Sequence, residues 1–281
     1  MSKITRAIKA AVREMNFGRV REVAVPAARE GDAFLGHCAL VTGGSSGIGL
    51  EIARRLALEG CDVVIAGRDS DKLEQAKKRI GLERVRSCVL DVSETRDGIE
   101  SAVDRAALAF GKKKIFDICV NAAGVVARLT PMDVDEREWD RVCDTNLRGS
   151  YFVSMAVARR MISSGLRGHI LLLSSSSALR PGWGPYEISK WGVKGMALGL
   201  ADLFSRDGII VNALGPGPTA TPMLGKGADE DITHPTNPSG RYATTGEIAE
   251  LALVLLGNMG DMIVGDTLYA TGGAGTISLD R

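Results

Sequence analysis

The chain has 281 residues, of which 45% are hydrophobic and 25% charged, and its formal net charge is +1. This composition is typical of a globular protein, and the small net charge gives no reason to expect binding to nucleic acid or to a membrane surface. No apolar stretch reaches the roughly 18 residues of a membrane-spanning helix. The five cysteines and three histidines show no metal-ligand spacing, so we predict reduced thiols, no metal and a cytoplasmic location.

The first 35 residues differ from the remainder because they precede the first apolar run. Basic residues, among them Lys3, Arg6 and Arg13, are spread through this segment. Since they leave no uninterrupted apolar core, the segment does not fit a secretory signal. We predict a basic, partly helical arm over residues 1–35 and a single domain over residues 36–281.

After residue 36, seven short apolar runs alternate with longer amphipathic segments. The runs are rich in Val, Ile and Leu without strict polar alternation, which is typical of strands buried on both faces of a parallel sheet. The predicted strands are 37–42, 62–66, 85–90, 116–121, 168–174, 209–213 and 267–270. Their alternation with helical patterns predicts an α/β fold, a doubly wound parallel sheet of about seven strands.

A glycine-rich loop follows the first predicted strand and leads into a helix. It contains Gly43, Ser45, Ser46, Gly47, Ile48 and Gly49. Glycine lets the backbone approach a pyrophosphate closely, and the free N–H groups at a helix N-terminus attract its negative charge. Because a strand precedes the loop and a helix follows it, we predict that these residues bind a dinucleotide.

The end of the second predicted strand bears on which dinucleotide is bound. An NAD site usually has an acidic residue there, which accepts a hydrogen bond from the ribose 2′-hydroxyl. Here the strand is followed by Gly67 and Arg68, although Asp69 comes next. A guanidinium can pair with a 2′-phosphate and stack on adenine, so the sequence favours NADP over NAD.

Tyr186 and Lys190 lie four residues apart on a predicted helix, downstream of the serine run 174–177. A free tyrosine has a pKa of about 10 and is a poor proton-transfer group at neutral pH. The Lys190 ammonium, one helical turn away, would lower the pKa of Tyr186 by favouring the phenolate. A serine hydroxyl would then hold the oxygen of a carbonyl substrate. The tyrosine–lysine pair alone is weak evidence, since this spacing is usually found between surface residues.

The glycine loop and the tyrosine–lysine pair, together with further motifs in the same chain order, resemble the short-chain dehydrogenase/reductase family over residues 37–275. The resemblance implies additional cofactor contacts from Asp91, Val92, Asn121, Ala122, Gly124, Tyr186, Lys190, Pro216, Gly217, Thr219 and Thr221. It also implies that Asn146 belongs to the catalytic set and holds a water that links Lys190 to solvent. Hydride transfer between a nicotinamide cofactor and a carbonyl or alcohol is the implied activity.

The catalytic serine departs from the family's spacing, which places it two residues farther upstream of the tyrosine than Ser175 is here. Adjacent residues of a strand face opposite sides of the sheet. The register of the predicted strand 168–174 favours Ser175 over Ser174 and leaves a shortened loop before Tyr186. Ser176 is the alternative.

Residues 215–245 are rich in Gly, Pro, Thr and Asp, and a loop of this length inside a domain is often a lid. We interpret the lid as polar and without aromatic residues, which favours a small polar carbonyl substrate such as a sugar or polyol derivative. His234 is a candidate contact for the substrate. Arg128 and Arg180 are candidates for binding an anionic group.

Two other functions stay open at this point. One is 3-oxoacyl-carrier-protein reductase, although Leu166 and Asp207 occupy surface positions where such reductases tend to be basic. The other is a non-catalytic NADP-binding sensor or scaffold, against which the intact catalytic positions argue.

The resemblance also implies a homodimer or homotetramer. The predicted helices 134–163 and 186–206 have broad apolar faces that a partner subunit would bury. The side chains of these faces include Val153, Val157, Met161, Val193, Ala197, Leu198 and Ala201.

Overall fold

A computed structural model describes residues 31, 33–111, 113–226 and 230–278. Nearly all of the predicted arm and three residues of the predicted lid therefore lie outside the described residues. None of the described helices is both long and apolar enough to cross a bilayer.

Seven strands form one sheet in which every neighbouring pair is parallel. They are β1 Cys38–Thr42, β2 Asp62–Gly67, β3 Val85–Val89, β4 Ile118–Asn121, β5 Gly168–Leu173, β6 Ile209–Pro216 and β7 Thr267–Ala270. Their order in the sheet is β3-β2-β1-β4-β5-β6-β7. The predicted fold class is confirmed. In such sheets a crevice opens beyond the carboxyl ends of the two strands where the order reverses, here β1 and β4.

Helices cover both faces of the sheet. They are α1 Gly47–Leu58, α2 Ser70–Ile80, α3 Arg96–Ala107, α4 Glu136–Cys143, α5 Gly149–Ser163, α6 Pro185–Phe204 and α7 Thr245–Leu256. One core layer joins the sheet to α3, α5 and α6, and the other joins it to α1, α2 and α7. Because both faces are buried, all five residues of β1 are buried, which accounts for its apolar run without alternation.

Two predicted elements differ from the structure by more than the one- or two-residue shifts found at other element ends. Strand β6 continues to Pro216, three residues beyond its predicted end, because Gly215 and Pro216 pair with Tyr269 and Ala270 of β7. The predicted helix 134–163 is interrupted by a π-helical segment, Asp144–Arg148, between α4 and α5. Its wider hydrogen-bonding pattern is common at functional sites, and composition does not reveal it.

The apolar faces predicted to meet a partner subunit are buried inside the protein's own core. Six of the seven side chains are at most 2% exposed, namely Val153, Val157, Met161, Val193, Ala197 and Ala201. They pack in the layer between the sheet and α3, α5 and α6. Only Leu198 is exposed, at 63%. The assignment to a partner is therefore wrong for these six side chains, which one broad core layer buries, and it stays a prediction for Leu198.

Asp117, directly before β4, holds the amino ends of β1 and β5 next to that of β4. Its carboxylate accepts a hydrogen bond from the peptide N–H of Cys38 at 2.8 Å and contacts His37 Nδ1 at 2.7 Å. Its carbonyl accepts the N–H of His169 at 2.8 Å. Gly168 lies so close that a Cβ there would stand 2.0 Å from the Asp117 carbonyl oxygen. Glycine at this position thus permits β4 and β5 to begin side by side.

We expect Gly168→Ala to lower the free energy of unfolding by about 1–3 kcal/mol, the usual range for overpacking, because the backbone of Asp117 must move. Urea titration followed by circular dichroism measures the change. Ser164→Ala, at an exposed position four residues earlier, is the matched control and should stay within about 0.5 kcal/mol of the wild type. Equal stability of the two variants would contradict the contact.

Candidate active site

A cavity of about 670 Å³ opens at the carboxyl edge of the sheet. The loops after β1, β2, β3, β4, β5 and β6 line it, so its residues come from most of the described chain. Of the residues predicted from the sequence, those that line the cavity are Gly43, Ser45, Ser46, Gly47, Ile48, Gly49, Arg68, Asp91, Val92, Ala122, Gly124, Ser175, Tyr186, Lys190, Pro216, Gly217, Thr219 and Thr221. Asn121 and Asn146 do not line it.

The glycine loop occupies one end of this cavity. Gly43 has a positive φ of 66°, and a Cβ on it would lie 2.7 Å from backbone atoms of Ala122. A Cβ on Gly49 would lie 2.5 Å from the carbonyl oxygen of Gly43. The Ser46 side chain makes no capping hydrogen bond to α1. The first-turn N–H groups of α1 are therefore available to an anion, as a pyrophosphate site requires.

Arg68 and Asp69 follow β2 at the same end. The guanidinium of Arg68 is exposed to the cavity and has no hydrogen bond or ion pair with any described residue. Asp69 is the N-cap of α2, and its carboxylate accepts hydrogen bonds from the N–H groups of Asp71 and Lys72 at 3.1 and 3.0 Å. The bond from the Lys72 backbone is the main cause that lowers the pKa of Asp69. Oδ1 of this carboxylate therefore caps α2, and Oδ2 lies 3.5 Å from Lys72 Nζ.

The serines at the end of β5 face opposite ways. Ser174 Oγ donates to the carbonyl of Lys190 at 3.0 Å and is directed into α6. Ser175 faces the cavity, where it hydrogen-bonds with Tyr186 and accepts the N–H of Ser177 at 3.1 Å. Ser176 also lines the cavity but begins a short 3-10 helix, Ser176–Leu179. The geometry thus brings Ser175 to the tyrosine.

Tyr186 and Lys190 lie in the first two turns of α6. Pro185 begins the helix, with a φ angle already suited to it. Lys190 Nζ donates to the carbonyl of Leu173 at 2.7 Å and lies 5.8 Å from the centre of the Tyr186 ring. Lys190 is only 6% exposed, and burial lowers its pKa to about 8.

The predicted effect of Lys190 on the tyrosine is not seen in this arrangement. Burial raises the pKa of Tyr186, the hydrogen bond with Ser175 opposes the rise, and the nearby charge of Glu187 adds to it. The physical reason is that the Lys190 ammonium is directed at the Leu173 carbonyl, while desolvation disfavours the phenolate. The phenol therefore keeps its proton through neutral pH.

Asn146 lies in the π-helical segment and clamps the loop after β4. Its Oδ1 accepts the N–H of Val125 at 2.8 Å, and its Nδ2 donates to the Val125 carbonyl at 2.9 Å and to Ser189 Oγ at 3.1 Å. A Cβ on Gly124 would lie 3.4 Å from Asn146 Oδ1 and 3.6 Å from Lys190 Nζ. The amide thus lies close to the lysine, and its polar atoms are used to position backbone and helix.

Asn121 was predicted to contact the cofactor, but its side chain points away from the cavity. Its Nδ2 donates to Ser154 Oγ of α5 at 3.0 Å, and the side chain is buried. Asn121 therefore holds β4 against α5, while the backbone from Ala122 onward forms the cavity wall.

The predicted lid, residues 215–245, returns over the cavity. Isolated bridges pair Thr219 with Ala243 and Thr233 with Arg241. Tyr242 and His234 line the cavity with ring centres 4.4 Å apart. The interpretation of this segment as free of aromatic residues is therefore wrong. The bidentate pair between Arg241 and Glu247, six residues apart in the chain, holds the neighbouring backbone and was not predicted from the sequence.

Comparison with known proteins agrees with this geometry. The family model described as short chain dehydrogenase matches residues 37–231. Gluconate 5-dehydrogenase of Gluconobacter oxydans is 34% identical over 252 residues, which cover 87% of this chain and 96% of that protein. The 3-oxoacyl-[acyl-carrier-protein] reductase of Chlamydia muridarum is 34% identical over 243 residues, covering 84% and 96%.

A solved structure shows the same similarity in three dimensions. It is the gluconate 5-dehydrogenase from Burkholderia cenocepacia J2315 in complex with NADP and tartrate, with a TM-score of 0.78 and 30% identity. The match covers 89% of this chain and 99% of that one. The chain therefore belongs to the short-chain dehydrogenase family and is an oxidoreductase of CH–OH and C=O groups.

Proposed function

We propose that the protein transfers a hydride between NADP and a small polar carbonyl or alcohol, such as a sugar or polyol derivative. The observation that carries this proposal is the grouping of Ser175, Tyr186 and Lys190 in one cavity. The glycine loop at the other end of that cavity can hold a pyrophosphate.

The side chains divide the chemistry among them. The glycine loop and Arg68 would hold NADPH in this cavity, and the cofactor would supply the hydride for reduction of the carbonyl carbon. Tyr186 donates its phenolic proton to the carbonyl oxygen, and Ser175 holds that oxygen by a hydrogen bond. Lys190, which lines the cavity, would bind the ribose next to the nicotinamide. Asn146 keeps the loop after β4 in place beside the lysine.

Support for NADP comes from the end of β2. The Arg68 guanidinium, which has no partner among the described residues, can bind a 2′-phosphate, whereas Asp69 caps α2 through Oδ1 and pairs with Lys72 through Oδ2. The related enzyme of Burkholderia cenocepacia binds NADP. NAD, which needs a free acceptor for the ribose 2′-hydroxyl, fits this arrangement less well.

Support for a polar substrate comes from the cavity and from the named relatives. Ser176, Ser177 and His234 line the cavity beside Tyr186 and Ser175. Two relatives are gluconate 5-dehydrogenases. Reduction of a 3-oxoacyl carrier protein is the second candidate, favoured by the similarity to the Chlamydia muridarum enzyme. A third candidate, a non-catalytic sensor or scaffold, predicts tight NADP binding without turnover.

We also propose that residues 215–245 act as a lid. Thr219 and Thr221, at its start, would contact the nicotinamide end of the cofactor. Both line the cavity and are at most 7% exposed.

For assembly we propose a homodimer or homotetramer through the outer face of α6. Trp191, Leu198 and Leu203 are 44, 63 and 56% exposed on this helix. Gly195 and Gly199 lie beside them, at spacings that share one helix face. Large apolar side chains left exposed on one helix are candidates for burial against a second copy.

Replacement of the phenol tests the mechanism. We expect Tyr186→Phe to lower kcat/KM for carbonyl reduction by about 10²–10⁴-fold, the contribution of a positioned proton donor, with NADP affinity retained. Tyr151→Phe, at an exposed tyrosine outside the cavity, should match the wild type in a nicotinamide absorbance assay. Full activity of Tyr186→Phe would refute the role of the phenol.

The Tyr186 phenol also predicts opposite pH profiles for carbonyl reduction and alcohol oxidation. Because burial raises the pKa of Tyr186, the protonated donor needed for reduction persists through neutral pH and is lost only at alkaline pH. Oxidation needs the phenolate, so its kcat/KM should rise with pH over the alkaline range while that of reduction falls. Parallel profiles in steady-state assays would contradict this assignment.

Cofactor choice depends on Arg68. We expect Arg68→Ala to weaken NADP binding by about 1.5–3 kcal/mol, the range for a hydrogen bond to a charged group, and to leave NAD binding nearly unchanged. Arg79→Ala removes the same charge from an exposed position on α2 and should alter neither. Calorimetric titration measures both affinities, and equal losses for NADP and NAD in Arg68→Ala would overturn the preference.

Assembly can be tested with one charge on α6. We expect Leu198→Glu to reduce the mass measured by light scattering at micromolar concentration to that of a monomer, because a carboxylate would be buried at the interface. Leu108→Glu places the same change at a leucine that is 55% exposed after α3 and should leave the mass unchanged. A monomeric wild type would refute the proposed assembly.

A further inference from the structure

We propose that Arg180 binds a carboxylate of the substrate, so that the enzyme acts on hydroxy acids and oxo acids in preference to neutral sugars or polyols. This inference rests on the function proposed above, because it concerns the substrate end of the same cavity. The inference narrows the proposed substrate class from small polar carbonyls and alcohols to those that carry a carboxylate.

The backbone of Arg180 is held by the elements that carry the catalytic groups. Its N–H donates to the carbonyl of Ser177 at 3.2 Å, and its carbonyl accepts the indole N–H of Trp191 at 2.8 Å. Ser177 follows Ser175 by two residues, and Trp191 belongs to α6, which also carries Tyr186. Arg180 is thus fixed relative to the reacting groups and lines the cavity with them.

The side chain of Arg180 passes over a glycine. Its Nε lies 3.4 Å from the position that a Cβ on Gly275 would occupy, and Gly275 has a φ of 88°. The guanidinium has five N–H donors, and it makes no hydrogen bond or ion pair with any described residue. A planar group with unused donors beside a binding cavity suits bidentate recognition of a carboxylate.

The charges around the cavity favour the same ligand. Among the described residues that line it, the carboxylates are Asp69 and Asp91, which follow β2 and β3 at the dinucleotide end. Asp91 already accepts two hydrogen bonds from Ser93, at 2.9 and 2.7 Å. At the end of the cavity near Tyr186, Arg180 and Lys190 thus face no carboxylate among those residues.

His234 adds a neutral polar group to this end. Burial lowers the pKa of its ring, so His234 contributes a hydrogen bond rather than a charge at neutral pH. Glu187, whose charge acts on Tyr186, does not line the cavity, so a substrate carboxylate would supply the negative charge that the described cavity-lining side chains lack at this end.

The other arginine near the site is differently placed. Arg128 is exposed and does not line the cavity. Its backbone N–H donates to the carboxylate of Glu138, which also pairs with Arg141 at 2.8 Å. Arg128 is therefore a matched control, since the same substitution removes the same charge close to the cavity but outside it.

The test compares acid and neutral members of matched substrate pairs. The wild type, Arg180→Met, Arg180→Lys and Arg128→Met are assayed with D-gluconate and D-glucitol as alcohols. The oxo compounds are 5-oxo-D-gluconate and L-sorbose, and each pair differs at one carbon, a carboxylate against a hydroxymethyl group. Binding of D-gluconate and D-glucitol to the enzyme saturated with NADPH is measured by calorimetry, because reduced cofactor and alcohol cannot react.

We expect the wild type to favour the acid of each pair at least tenfold in kcat/KM and in affinity. Arg180→Met should lose about 10- to 100-fold on the acid, the range for a lost hydrogen-bonded charge, and little on the neutral compound. The kcat/KM and affinity of Arg180→Lys for the acids should lie between those of the wild type and Arg180→Met, and Arg128→Met should match the wild type. NADP affinity should be the same in all four proteins.

Other outcomes separate the two proposals. A wild type that prefers the neutral compounds, or an Arg180→Met protein that keeps the preference for acids, would overturn the role of Arg180 and leave the proposed redox function intact. Equal loss on acid and neutral members would assign Arg180 a structural role instead. If no carbonyl or alcohol is turned over while NADP still binds, the proposed function fails, and the inference fails with it.

Discussion

The parallel pairing of β1 with β4 is the constraint on which the site depends. Thr42 lies level with Asn121 across this pair, so both strands end at the same height and their loops leave the sheet side by side. The glycine loop then packs so closely against the backbone after β4 that a side chain at position 43 would not fit. A shift of the pairing by one residue would turn each buried side chain to the opposite face and separate the two loops.

Much of this arrangement could be predicted from the sequence because it follows from local rules. Apolar runs without alternation indicated strands buried on both faces, and all seven exist. A glycine loop between a strand and a helix indicated the cofactor end of the cavity. The alternation of side chains along β5 predicted which serine faces Tyr186, and the structure directs Ser174 into α6 and Ser175 into the cavity.

What could not be predicted depends on contacts between distant residues. The sequence pattern cannot show that Lys190 donates to the Leu173 carbonyl, which leaves burial to control the pKa of Tyr186. The π-helical segment around Asn146 has no compositional signal. From the sequence, α5 and α6 have more apolar surface than one core face needs. The width of the core layer that buries this surface is a property of the assembled fold, so it could not be predicted. Tyr242 enters the cavity only through the way the segment after β6 folds back.

The capping role of Asp69 links cofactor choice to local folding. The only carboxylate immediately after β2 holds the first turn of α2 through two backbone hydrogen bonds. Both bonds go to Oδ1, while Oδ2 lies 3.5 Å from the Lys72 ammonium, so a ribose hydroxyl would share a carboxylate that already caps the helix. Turning this carboxylate wholly toward a ribose hydroxyl would weaken the N-cap, whereas an acceptor introduced at Gly67 would leave the cap intact. Helix stability in this region thus limits which routes to altered cofactor use are open to the protein.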